Sequence, residues 1–194
     1  MKRVFFNILA FAILVSSLSS CGYNGGVERQ EKVASAWGQV ENVYQRRADL
    51  IPNLVNTVKG YATHEEKVFT QITEARAKAT SINIDANNLS PENVQKFQAA
   101  QDNLTAVVAG GMKFINENYP TLQANENFMA LQAQLEGTEN RIAVERMKFN
   151  TAVQEYNTYI RQFPNVMFSG WFGFTAKGYF TAAPGSEKAP EVKF

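Results

Sequence analysis

From Val33 onward the apolar residues of this chain recur every three or four positions: Val33, Trp37, Val40, Tyr44, Ile51, Leu54, Val58 and Tyr61. That spacing places them on one face of an α-helix, so the stretch must fold as an amphipathic helix that buries this face. The stripe continues in phase through Val68, Ile72, Ala75 and Ala79, so residues 27–80 allow one very long helix or two shorter ones. Pro52 lacks an amide hydrogen and predicts a kink. Gly60, followed by Thr63 and Glu66 at the spacing of a capping box, predicts a turn at residues 60–63. Asp49 offers an alternative, as the cap of a helix that starts at Pro52. One charge falls on the stripe itself, Arg47.

Residues 81–88 are polar, with Asp85, Asn87 and Asn88 as turn formers, and predict a loop. Ser90 and Pro91 then supply a cap and a first helical residue. The stripe that follows is Val94, Phe97, Leu104, Val108 and Ile115, and it ends at residues 118–120. Gly110 and Gly111 inside it mark either a weak point or a close helix crossing. Residues 121–161 carry the clearest heptad: Phe128, Leu131, Leu135, Thr138, Ile142, Glu145, Phe149, Ala152, Tyr156 and Tyr159. At ~1.5 Å per residue this helix is about 60 Å long and residues 27–61 about 50 Å, so the two can lie along each other. The expected fold is all-α, an antiparallel bundle of three or four long helices. With the far ends of these two helices level, Arg47 and Glu145 come to similar heights. They are expected to pair in a buried polar layer, completed by Arg46, Asp49 and Glu139, that fixes helix register.

Beyond Pro164 the periodicity stops. Phe168, Trp171, Phe172, Phe174, Tyr179 and Phe180 crowd a segment broken by Gly170, Gly173 and Gly178. A segment so apolar must be covered, by the bundle itself or by lipid or a partner, and these six aromatics form a possible contact surface.

At the other end, residues 1–20 have the plan of a secretory signal: Lys2 and Arg3, an apolar run over residues 4–15, then small residues. The run is short for a membrane span of roughly 20 apolar residues. Leu18, Ser19, Ser20 and Cys21 resemble a bacterial lipobox, which implies that Cys21 becomes a lipidated N-terminus. The alternatives are an ordinary signal peptide and an uncleaved single-pass anchor at residues 4–18. Residues 21–26 then form a lipid-anchored spacer that holds the domain within about 20 Å of the membrane, at ~3.5 Å per residue. Residues 27–163 form the bundle and residues 164–194 an extended aromatic tail. Gly22 is not the aspartate that resembles an inner-membrane retention signal, which leans towards the outer membrane, facing the periplasm.

Four stretches carry a resemblance to a known family: YQRRADLIPNLVNTVKGYATHE at residues 44–65, NYPTLQANENF at 118–128, EGTENRIAVER at 136–146 and WFGFTAKGYF at 171–180. In this order they resemble the LemA family of bacterial membrane-attached proteins. The resemblance implies an all-helical domain exposed outside the cytoplasmic membrane, in a family without an established activity. Members usually begin with a transmembrane helix, from which the first twenty residues here depart.

The chemistry open to the side chains is narrow. Removal of Lys2 and Arg3 leaves 17 basic against 18 acidic groups, so a nucleic acid partner has no electrostatic basis. A lone cysteine forms no intramolecular disulfide and no thiolate metal site. His64, before Glu65 and Glu66, lacks the second histidine of a zinc-protease motif, because position 68 is Val68. The pair Glu136 and Glu139 has the spacing of a solvated helix face. The expected function is a membrane-anchored, non-enzymatic scaffold or interaction module of the cell envelope, without cofactor. Its expected partners are the membrane, through lipid on Cys21, and other envelope proteins, with a homo-oligomer open. The alternatives are an envelope hydrolase using carboxylates with Arg46 or Arg47, and a binder of an apolar ligand between helices.

Overall fold

A computed structural model describes residues 2–62 and 64–182, with side chains from residue 22 onward. Among the described residues four helices run up, down, up and down: α1 over Lys2–Lys59, α2 over Glu66–Ser81, α3 over Pro91–Asn118 and α4 over Glu126–Arg161. Short 3-10 turns at Ala86–Asn88, Pro120–Ala124 and Asn165–Met167 connect or follow them. The fold is the expected all-α bundle of antiparallel long helices. Its ends follow local chemistry. Ser90 accepts from the Asn93 amide at 3.2 Å with Pro91 in the first turn of α3, and Asn125 accepts from the Phe128 amide at 2.9 Å to start α4.

Pro52 sits inside α1, which continues to Lys59, so no new helix starts there and Asp49 caps nothing. A proline at this position leaves the carbonyl four residues earlier without its helical donor. That carbonyl belongs to Ala48, and Arg76 of α2 donates its Nε to it at 2.6 Å. The chain turns after Gly60 as expected. The capping box expected there involves Thr63, which lies outside the described residues, and the Glu65 side chain that precedes α2 makes no cap bond.

Residues 22–26 differ from the expected flexible spacer, because they are helical and belong to α1. Their glycines serve close approach. A Cβ on Gly25 would collide with the Tyr159 hydroxyl, and one on Gly26 would lie 2.6 Å from the Phe174 ring. Tyr159 also donates its hydroxyl to the Gly22 carbonyl at 3.0 Å. Packing against α4 and the tail thus overrides the poor helix propensity of glycine. Gly111 is likewise a close crossing, since a Cβ there would meet Ile72 of α2 at 2.9 Å, whereas Gly110 faces open space.

The core has two halves. Ile51, Leu54 and Val58 of α1 pack with Phe69, Ile72, Leu104 and Phe128 where all four helices meet. In the other half, α1 and α4 extend past α2, and Val33, Trp37 and Val40 pack with Phe97, Phe149, Val153 and Phe180. Here the tail covers the groove that a further helix would fill. The buried face of α4 also drifts. Beyond Phe149 it passes through Val153, Tyr156, Asn157 and Ile160, leaving Ala152 and Tyr159 half-buried. A straight helix of 3.6 residues per turn rotates away from a heptad in this way.

Candidate functional site

Between the two core halves lies a polar layer centred on Arg47, which is 2% exposed. Its guanidinium donates to the Gln101 side chain and main-chain oxygens at 2.5 and 3.2 Å, to Thr105 Oγ1 at 2.5 Å and to Glu139 Oε1 at 2.9 Å. The pairing with Glu145 does not form. Glu145 accepts instead from Lys148 at 2.8 Å on the flank of its own helix. The reason is register. Trp37 of α1 packs against Phe149 of α4 with ring centroids 5.4 Å apart, and the residue ten on from Trp37, Arg47, is therefore level with the residue ten back from Phe149, Glu139. Arg46 and Asp49 are exposed and stand outside the layer, with Asp49 accepting from Gln45 at 2.8 Å.

A second arginine, Arg146 of α4, extends the layer. It donates to the Tyr44 hydroxyl and to Asp102, both at 2.6 Å, and lies over the Phe180 ring at 5.0 Å. Burial pushes the Tyr44 phenol up to about 12, against the pull of Arg146 and Arg47. A groove of about 750 Å3 runs past Arg47, Asp102, Glu139 and Arg146 to Thr181.

Three amide side chains next hold the tail, each bonding both polar groups of one tail residue as a neighbouring strand would. Asn157 bonds Lys177 N–H and C=O, both at 2.9 Å. Asn150 bonds those of Phe180 at 2.9 and 2.8 Å, and Gln98 of α3 those of Thr181 at 2.9 Å each. Gly178 adds a bond from its amide to the Leu89 carbonyl at 2.9 Å. It must be glycine for this approach, because a Cβ would stand 2.6 Å from the Pro91 Cα. Reading by residue type overlooked these amides. Asn150 and Asn157 are one heptad apart beside an apolar stripe, which was the available signal.

The six tail aromatics separate. Phe180 is a core residue, stacked with Trp37 and edge-on to Phe149. Phe168 and Phe174 are half-buried, while Trp171, Phe172 and Tyr179 are exposed. Trp171 is 84% exposed. Cys21 and the segment before it lie outside the residues whose side chains are described. His64 is exposed on the turn before α2. Among the described residues no group of His, Cys, Asp and Glu comes together that could hold a metal ion.

The LemA family model matches residues 36–194, which takes in the polar layer, the amide clamps and the tail. The chain belongs to the LemA family. Among relatives, it is 25% identical over 186 residues to magnetosome protein MamQ 2 of Paramagnetospirillum magneticum. It is 25% identical over 181 residues to magnetosome protein MamQ of Magnetospirillum gryphiswaldense. Each match covers 85% of this chain and 66% of the relative. Protein LemA of Metamycoplasma hominis is 22% identical over 134 residues, covering 69% of this chain and 57% of that protein. This LemA-family chain thus spans somewhat less than two thirds of the length of these relatives.

Proposed function

We propose that this LemA-family protein is a non-enzymatic helical interaction module of the bacterial cell envelope, held to the outer membrane by lipid on Cys21 and facing the periplasm. The observation that carries this reading is the use of the buried polar groups. Arg47, Arg146, Gln98, Asn150 and Asn157 are engaged in bonds that fix helix register and tail position. Groups so engaged hold a shape and are poor at moving protons. An enzyme built on carboxylates with Arg46 or Arg47 would need an uncommitted acid or base beside the guanidinium, whereas Arg46 is exposed and the carboxylates in the groove beside Arg47, Glu139 and Asp102, are held in ion pairs with Arg47 and Arg146. The outward face of α4 meanwhile exposes Val144 and Met147, the latter by 63%, as a surface on which a partner can dock.

The test is made in intact cells. A photo-crosslinking residue at Met147 is expected to capture another envelope protein or a second copy of this chain, while one at the exposed His64 captures neither. Cys21→Ser is expected to release the protein from the membrane fraction. Capture from both sites alike, or membrane attachment unchanged in Cys21→Ser, counts against the reading.

A further inference from the structure

The end of the bundle nearest the N-terminal segment contains an apolar cavity of about 310 Å3, between the last turns of α4 and the loop that follows. Ile160, Met167, Phe168, Phe172 and Phe174 line it, and Gly22 of α1 forms part of its wall. The polar atoms around it are turned into internal bonds. The Tyr159 hydroxyl donates to Gly22, Asn165 Nδ2 donates to the Tyr159 carbonyl at 3.2 Å, and Ser169 Oγ donates to the Val166 carbonyl at 3.4 Å. The wall therefore offers an occupant hydrocarbon contact and very little else. The volume lies at the lower end of the range of ligand sites, roughly 300 to 1,000 Å3, and suits a slender chain better than a ring system.

The surroundings indicate where such a chain comes from. Phe163 and Met167 line the cavity while 80% and 60% exposed, Trp171 lies edge-on to the lining Phe168 at 6.0 Å and is 84% exposed, and Val166 in the same loop is 50% exposed. Four large apolar side chains in nine residues mark a surface made for an apolar phase, and tryptophan prefers the level of lipid headgroups. Gly22 follows directly on the segment with the apolar run of residues 4–15, the segment to which the proposed function assigns membrane attachment. Lipidated or retained as an anchor, that segment brings the bilayer to this end of the molecule.

We propose that residues 163–172 dip into the bilayer surface and that the cavity behind them seats one acyl chain of a membrane phospholipid. This rests on the membrane attachment proposed above and adds a lipid site to it. The full chain is reconstituted in vesicles of phosphatidylethanolamine and phosphatidylglycerol, doped with a phosphatidylcholine that carries a diazirine near the end of one acyl chain. After irradiation, adducts are expected on Ile160, Phe168 and Phe174. Phe172→Glu, which places a charge at the entrance, is expected to reduce these adducts about tenfold with the helical circular dichroism unchanged. Flotation with the vesicles but adducts only at the mouth, only before Gly22, or undiminished in F172E overturns the lipid seat and leaves attachment standing. Failure to float overturns both. Interior adducts that appear only in Cys21→Ser would assign the cavity to the chain's own lipid and overturn the proposal as stated.

Discussion

Pro52 and Arg76 form a pair that neither residue announces. Proline deprives Ala48 of its helical donor, and an arginine from the next helix replaces it at 2.6 Å. Arg76→Ala is expected to destabilise the protein by about 1.5 to 3 kcal/mol, the cost of a charged hydrogen bond lost from a partly buried carbonyl. In a Pro52→Ala background the backbone N–H returns to Ala48, and the same substitution should cost markedly less. Urea denaturation of the four variants measures that coupling, and additive effects would refute it. Tyr44 makes a second prediction, for alkaline pH. Its folded value of about 12 exceeds the ordinary value of 10.0, so between these limits the native state keeps a proton that the unfolded state has lost. Stability falls as pH rises through that window, by roughly 2 to 3 kcal/mol in total for this one group. Tyr156, also pushed up by burial, acts in the same direction. Tyr44→Phe should therefore flatten the decline of the melting temperature above pH 10 without abolishing it. Arg47 on its stripe was legible in the sequence. Its partner Glu139 was legible as a member of the layer but not as the pairing residue, because pairing depends on the register that Trp37 and Phe149 set between α1 and α4.

Residues 177–181 of the tail carry no secondary structure, yet they bind as a strand would. The clamps grip its main chain, so its own side chains gave no sign of where its bonds would go, and only its aromatic content showed that it needed cover. Asn157→Leu leaves the Lys177 N–H and C=O unpaired in a buried place, at a cost of about 2 to 3 kcal/mol. Gly178→Ala should loosen the tail through its clash with Pro91. In hydrogen-exchange measurements both variants are expected to speed exchange at residues 177–181 more than in α2, and uniform change across the chain would contradict a local clamp. Helices α1, α3 and α4 were legible because a 3.6-residue period survives everything except glycine-rich stretches. Residues 22–26 were misread as a spacer for that reason. Their role depends on Tyr159 and Phe174, more than a hundred residues away, and local composition carries no trace of a ring waiting for a bare backbone.

Across the whole molecule, α1 and α4 traverse both halves of the core and bind the halves into one folding unit. Leu104→Ala, in the half away from Trp37, should cost about 2 to 5 kcal/mol. In a Trp171→Phe background the remaining fluorescence reports Trp37, and its unfolding curve is expected to coincide with that from circular dichroism in L104A. Two separated transitions would mean that the halves melt independently. The placement of Phe180 carries a further consequence, one of timing. Synthesis proceeds from the N-terminus, and Phe180, the ring that completes the wall between Trp37, Phe97 and Phe149, emerges after all four described helices. A copy cut short by a stalled ribosome or a stray protease arrives with three large aromatic side chains lining an open hole. Synthesis through Phe180 is thereby a condition of a closed core, and a chain cut before it is expected to expose that same surface to proteases.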